Sequence, residues 1–155
     1  MLFRAIIFSL LLIIYLPGAH ADSGNDFSFT DLHGEIHHRN DYKGKWILVN
    51  YWATWCPPCA EEIPDLDRLY IKHKDKDLVV IGIAIGYKSK LEVDKFVDDM
   101  LISYPVTLGT SELIGQIGKS EVLPTTFIYN PEGKLVRINH GIISRDDIEK
   151  LISGY

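Results

Sequence analysis

Cysteine is scarce in this chain of 155 residues, which contains only Cys56 and Cys59. Exported domains that depend on disulfides for stability carry several cysteines at wide spacing, so this composition excludes a disulfide-stapled scaffold. A bridge between these two residues would close a very small loop and remove little entropy from the unfolded chain. The pair therefore favours a redox function over a purely structural one.

Basic charge is also in short supply. The 16 Lys and Arg residues are outnumbered by 21 Asp and Glu, for a formal net charge of −5 at pH 7. This mildly acidic balance argues against nucleic acid and anionic membranes as partners. The sequence has no repeats or low-complexity segments, and its hydrophobic content of 46% is sufficient for one compact domain with its own core.

The hydrophobic run near the start of the chain is short for a membrane span. An apolar stretch at residues 5–16 falls well below the roughly 20 residues that a bilayer-spanning helix needs. Arg4 precedes this stretch, and a small-x-small cleavage pattern ending at Ala21 follows it, so the sequence predicts a signal peptide over residues 1–21. The remaining residues, 22–155, are predicted to form the exported domain. A membrane anchor that is not cleaved is the alternative. No cysteine follows the apolar stretch closely, which argues against a lipoprotein.

The two cysteines lie where a buried strand is predicted to give way to a helix. Residues 46–51 are rich in β-branched and aromatic side chains, and apolar residues then recur at helical spacing from Ile63 to Tyr70. The first turn of a helix offers free N–H groups and a positive dipole end, which stabilise a thiolate. The two intervening prolines suit a first turn. We therefore expect Cys56 to be a reactive thiolate and Cys59 to be shielded one turn further on.

The rest of the chain alternates between strand and helix patterns. We expect a hairpin over residues 27–38 before the cysteines and a helix after them that ends near His73. A buried strand over 78–85 and a helix behind a Ser89–Glu92 capping box follow. The remaining predicted elements are a strand over 104–108, a helix over 112–117, a strand over 122–129 with its hairpin partner over 134–139, and a last helix capped by Ser144. The near-continuous apolar run at 78–85 indicates a strand buried on both faces of a parallel sheet. The fold class is therefore α/β, with a mixed central sheet flanked by helices.

These motifs resemble those of the exported thiol-disulfide oxidoreductases of the TlpA/ResA/CcmG type. The resemblance rests on residues 55–59 (WCPPC), 62–64 (EIP) and 123–127 (LPTTF), and it extends over essentially the whole chain after the signal segment. It implies a thioredoxin fold with an N-terminal β-hairpin and with an additional strand and helix inserted between Gly86 and Val122. It also implies that Pro124 follows a cis peptide bond and faces the cysteine pair.

The same resemblance implies roles for residues near the cysteines. Cys56 would attack a client disulfide, and Cys59 would resolve the mixed disulfide. Thioredoxin carries a buried Asp where this chain has Asn50, and the resemblance places an acid at Glu62 instead, where it would move the proton of Cys59. The alternative role of Glu62 is to favour the helix N-terminus through the dipole. The residues expected to contact substrate are Trp55, Pro57, Pro58, Leu123 and Pro124, whereas Trp52 is expected to be structural.

The function that the resemblance implies is reduction of client disulfides in the periplasm. The clients would be apocytochrome c or metal-site assembly proteins with exposed disulfides, and a membrane thiol-disulfide carrier would supply the electrons. The redox group would be the Cys56–Cys59 disulfide, with no further cofactor, and we expect a monomer.

Several alternatives remain open at this point. The same enzyme could run as a disulfide oxidant, because two prolines between the cysteines do not settle the direction. Both cysteines could instead bind Cu(I) in a metal chaperone, although Met100 is the only methionine after the signal segment. A peroxidase would need a lone cysteine in a different loop. We assign no metal to His33, His37 and His38, because a tetrahedral Cys/His zinc site would have to recruit the two distant thiolates.

Overall fold

The computed structural model describes residues 26–154. The predicted signal peptide lies outside this range and stays a prediction. The elements in chain order are β1 (Ser28–Thr30), β2 (Ile36–His38), a 3₁₀ turn (Arg39–Tyr42), β3 (Trp46–Trp52), α1 (Pro57–His73), β4 (Leu78–Ala84), α2 (Lys90–Asp99), β5 (Val106–Leu108), α3 (Ser111–Ile117), β6 (Thr125–Tyr129), β7 (Leu135–His140) and α4 (Arg145–Ser153). None of the helices in the described range has the length and apolar character required to cross a membrane.

Five strands form one mixed sheet in the order β5-β4-β3-β6-β7. The central strand β3 pairs in parallel with β4, from Trp46 opposite Leu78 to Trp52 opposite Ala84, and antiparallel with β6. β5 continues the parallel side and β7 the antiparallel side, while β1 and β2 form a separate hairpin. The predicted mixed sheet, hairpin and inserted strand and helix (β5 and α3) are confirmed.

Alternation along β3 divides the core into two layers. Successive strand residues point to opposite faces of a sheet, so Leu48 and Trp52 pack with the apolar residues of α1, α2 and α4, whereas Val49 and Tyr51 pack with the hairpin and α3. Asn50 falls on the α1 side, between Leu48 and Trp52. The strand therefore directs the Asn50 side chain into the layer that contains α1, the helix that begins at the cysteine pair.

The strand predicted over residues 122–129 begins only at Thr125. The Ser120 hydroxyl donates to the Val122 carbonyl at 3.1 Å and accepts from the Val122 N–H at 3.2 Å. This local turn occupies the backbone groups that a sheet would use, and Pro124 then has no N–H to offer. The start of the strand is delayed for these two reasons.

The capping box predicted at the start of α2 is only half formed. Ser89 is the N-cap, and its hydroxyl accepts from the Glu92 N–H at 3.2 Å. The Glu92 carboxylate does not return to Ser89. It accepts from the Lys88 N–H at 3.0 Å and from the Thr54 hydroxyl. Glu92 therefore joins α2 to the loop that precedes the cysteines.

Gly82, in the middle of β4, leaves no room for a side chain. A Cβ there would lie 2.8 Å from Trp52 Nε1 and 2.9 Å from Tyr104 Cε2. We expect Gly82→Ala to destabilise the fold by about 1–3 kcal/mol through overpacking. Gly115→Ala in α3 is the control, because its Cβ would meet nothing within 4 Å, and it should raise helix stability by up to about 1 kcal/mol. Urea unfolding followed by tryptophan fluorescence measures both, and wild-type stability for Gly82→Ala would contradict this packing.

Candidate active site

Cys56 caps α1, and Cys59 lies in its first turn. The Cys56 backbone is extended (φ −102°, ψ 101°), and its Sγ accepts a hydrogen bond from the Cys59 N–H at 3.3 Å. Pro57 and Pro58 occupy the first helical positions, where no N–H is required. The two cysteines form a disulfide with their Cα atoms 5.3 Å apart. Cys56 keeps 5% of its surface exposed and Cys59 none, so an attacking thiolate can approach from the Cys56 side.

A groove of about 440 Å³ opens beside the cysteines. Its lining comes from three segments of the chain: Trp55, Cys56, Pro57 and Pro58; Ile85 and Gly86; and Ser120, Glu121 and Leu123. We call this the client groove. Four of the five residues expected to contact substrate line it, whereas the fifth, Pro124, is buried and is not among the lining residues.

Trp55 forms an exposed wall of the client groove. Its side chain is 63% exposed, and its Nε1–H donates to the Gly86 carbonyl at 2.9 Å. Gly86 has φ +62°, and a Cβ there would lie 3.1 Å from the Trp55 ring. Both the left-handed backbone and the close ring favour glycine at this position. The Trp55–Gly86 contact and the hydrogen bond from Thr54 to Glu92 together hold the cysteine loop, residues 53–56, against the segment that follows β4.

The Leu123–Pro124 peptide bond is cis, as the resemblance implied. The Pro124 carbonyl accepts from the N–H of Gly141, the residue after β7, at 2.8 Å and is therefore already paired. The N–H and C=O of Leu123 form no hydrogen bond with any group in residues 26–154. They are the backbone groups that an extended chain in the groove can pair with.

Glu62 is a buried acid on the cysteine helix. It is 1% exposed and follows Cys59 by one turn, which places both on the same face of α1. Its carboxylate accepts from Asn50 Nδ2 at 2.7 Å and from the Ile143 N–H at 3.0 Å. Burial raises the pKa of Glu62 to about 7, and the two hydrogen bonds oppose that rise. The carboxyl group therefore changes protonation near neutral pH, the range in which a general acid or base works.

Asn50 holds Glu62 from the central strand. Besides Glu62, its Nδ2 reaches Thr126 Oγ1 at 3.0 Å, while its Oδ1 is buried without a partner among the described residues. A carboxylate at position 50 would face Glu62 directly, and two like charges in a buried site raise each other's energy. A neutral amide at Asn50 therefore lets the Glu62 carboxyl group be buried beside it without a second charge.

Asp31, Glu35 and His37 bring ligand atoms within 4.8 Å of one another in the N-terminal hairpin. Asp31 Oδ1 accepts from the backbone N–H groups of His33 and Glu35, each at 2.9 Å, and Oδ2 lies 3.2 Å from His37 Nε2. These contacts brace the hairpin turn, and we interpret the cluster as structural.

The family comparisons agree with this geometry. The model of the AhpC/TSA family matches residues 21–138. The chain belongs to this family. The thiol-disulfide oxidoreductase ResA of Geobacillus kaustophilus is 33% identical over 125 residues, which cover 81% of this chain and 71% of that protein. The chain is a thiol-disulfide oxidoreductase of the same type.

Solved structures show the same fold. A thiol:disulfide interchange protein of the thioredoxin family from Chlorobium tepidum superposes with a TM-score of 0.76 at 29% identity, over 83% of this chain and 92% of that one. The exposed lipoprotein thioredoxin of Streptococcus pneumoniae superposes with a TM-score of 0.72 at 27% identity, over 84% of this chain and 99% of that one. The predicted thioredoxin fold is confirmed.

Sequence reasoning missed four residues of the client groove in this oxidoreductase: Ile85, Gly86, Ser120 and Glu121. A signal for the first two was present. Parallel strands end at the same edge of a sheet, so residues directly after β4 must meet those directly after β3. Ser120 and Glu121 could have been found from their closeness in sequence to Pro124.

Replacing Glu62 by Gln should change how stability depends on pH. The folded pKa of about 7 lies above the ordinary value of 4.5, so the folded state holds the proton more tightly than the unfolded state does. The wild-type free energy of unfolding should therefore fall by about 3 kcal/mol as pH rises from about 4.5 to 7. Glu62→Gln removes this loss and should be the more stable protein at pH 8.

Urea unfolding of the disulfide form at pH 4 to 8 tests this prediction. The control is Glu61→Gln, an exposed neighbour on the same helix, which should keep the wild-type dependence. An unchanged fall in stability with pH in Glu62→Gln would contradict the assignment of that fall to Glu62.

Proposed function

We propose that this oxidoreductase reduces disulfides of client proteins outside the cytoplasm. The observation that supports this direction most strongly is the character of the groups around the cysteine pair. A buried carboxyl group, Glu62, lies one turn after Cys59, and no Lys, Arg or His of the described residues lines the client groove.

These surroundings disfavour a thiolate at Cys59. Burial penalises a charged sulfur, and a carboxylate on the same helix face raises its energy further. A strong disulfide oxidant owes its high potential to a stabilised reduced form. A cysteine pair whose reduced form lacks that stabilisation has a low reduction potential and acts as an electron donor. Among the described residues, only the N-terminus of α1, acting on Cys56, favours a thiolate here.

The reaction follows from the positions of the two sulfurs. In the reduced protein the Cys56 thiolate attacks one sulfur of a client disulfide, forms a mixed disulfide and releases the first client thiolate. Cys59 then loses its proton to Glu62 and attacks Cys56 Sγ, which releases the second client thiolate. Two electrons pass to the client, the client thiolates take up protons, and the protein is left with its Cys56–Cys59 disulfide.

The client groove is built to receive an extended segment. Trp55, Pro57 and Pro58 supply rigid apolar contact area, and the free N–H and C=O of Leu123 supply backbone pairing. Pro124 has no N–H that would be left unpaired beneath the client. Substrate binding is therefore assigned to Trp55, Pro57, Pro58, Leu123 and Pro124.

The proposed location rests on the predicted signal peptide, and the proposed partners rest on the disulfide-exchange reaction. Residues 1–21 have the pattern of a cleaved signal peptide, and the similar pneumococcal protein is described as an exposed lipoprotein. We place the mature domain in the periplasm, as a monomer with the cysteine pair as its only redox group. A membrane thiol-disulfide carrier would reduce it again, and apocytochrome c or metal-site assembly proteins would be its clients.

The reduction potential of the Cys56–Cys59 couple tests the proposed direction. Equilibration with dithiothreitol buffers, read from Trp55 fluorescence, should give a value near that of thioredoxin, about −270 mV. Because Glu62 disfavours the thiolate, Glu62→Gln should give a less negative potential, while Glu61→Gln should keep the wild-type value. A wild-type potential near about −120 mV would identify an oxidant and contradict the proposal.

A Cys59→Ser variant should trap clients as mixed disulfides through Cys56. Without the second thiol the intermediate cannot be resolved, so non-reducing gels of the exported fraction should show adducts that a thiol reductant releases. Cys56→Ser is the matched control and should form none, since Cys59 has no exposed surface. Equal labelling of the two variants, or none at all, would argue against the assigned roles.

A further inference from the structure

We infer that the client groove selects disulfide-bearing segments that carry a basic side chain, Lys or Arg, close to the attacked cysteine. The inference rests on the proposed function and specifies its substrate class. It depends on two features of the groove wall, the carboxylate of Glu121 and the exposed indole of Trp55.

Glu121 is the only charged residue among the described residues that line the client groove. The remaining walls are apolar or uncharged, with Ile85 and Leu123 among them. A single carboxylate on such a wall gives the groove one sign of charge.

The Glu121 carboxylate is also unengaged. It takes part in no hydrogen bond or ion pair with the part of the chain that the structure describes. Glu62 and Glu92 differ in this respect, because Glu62 accepts from Asn50 and Ile143, and Glu92 accepts from Thr54 and Lys88. Those two acids bridge elements of the fold, whereas the Glu121 carboxylate is free to pair with a cation in the groove.

Trp55 adds a second attraction for the same chemistry. Its indole is 63% exposed and anchored through Nε1 to the Gly86 carbonyl, which presents a rigid aromatic surface. Cations bind the faces of such rings, Trp best of all, and the methylene stem of Lys or Arg packs on apolar walls while its charged end reaches a carboxylate. An acidic client side chain would meet Glu121 as a like charge.

Peptide substrates can test the attraction of a basic side chain and the repulsion of an acidic one separately. Three peptides would share one intramolecular disulfide and differ only at the residues that flank it, with Lys, Gln or Glu at these positions. The kcat/KM for reduction by the purified protein would be measured with dithiothreitol as the terminal reductant. Because a flanking Lys also makes a disulfide intrinsically more reactive, each value is divided by the rate of direct reduction by dithiothreitol.

The wild-type protein should prefer the Lys peptide over the Gln peptide by about three-fold after this correction, as an exposed ion pair allows. Salt at 0.5 M should reduce the preference. Glu121→Gln should abolish most of it, and Glu121→Lys should make the Glu peptide the better substrate. Glu61→Gln, which removes an exposed charge from the cysteine helix outside the groove, should leave the preference unchanged.

Equal corrected rates for the Lys and Gln peptides, or a preference that survives Glu121→Gln, would overturn the inference while leaving disulfide reduction intact. Failure of the proposed function is recognised by a different measurement, because the potential of the Cys56–Cys59 couple would then lie at about −120 mV whatever the peptide preference.

Discussion

The burial of the Glu62 carboxyl group is the constraint on which the rest of this site depends. A carboxylate removed from water is stable only when its oxygens are hydrogen-bonded, and here one partner comes from β3 and the other from the backbone just before α4. The acid therefore joins the cysteine helix to the centre of the sheet and to the end of the chain. A residue that only served the helix dipole would need neither burial nor these partners.

The central strand sets where the chemistry happens. Its side chains alternate between two core layers, and that alternation directs Asn50 toward α1 and its acid. The strand ends at Trp52, and the chain turns at once into the cysteine loop. Since β4 runs parallel to β3 and ends at the same edge, Gly86 arrives beside Trp55. Strand direction and register thus bring together groove residues that are far apart in sequence.

Local pattern was enough to predict the order of elements. The apolar run of β4, the N-caps Ser89 and Ser144 and the prolines after Cys56 each specify their own element without distant partners. The cis bond before Pro124 was predicted through family resemblance, not from local pattern.

The partners of the buried and bridging acids could not be predicted in the same way. Asn50 and Ile143 lie 12 and 81 residues from Glu62, and one of them acts through a backbone N–H that any residue has. Glu92 matched a capping box by sequence, yet its carboxylate binds Thr54 and Lys88. Such contacts depend on the packing of whole elements, which a motif does not encode.

Acidic groups near the cysteine pair have opposite effects on the equilibrium for electron donation and on the rate of the first attack on the client. Carboxylates near the cysteine pair raise the energy of thiolates, which would keep the potential low and favour the proposed electron donation. The same charge slows the first step, because the nucleophile is a thiolate. In the proposed mode of client binding, a cation that arrives with the client and pairs with Glu121 would neutralise part of this charge at the moment of attack. Cys56 would then be most reactive when a suitable client occupies the groove and less reactive toward small disulfides in the surrounding medium.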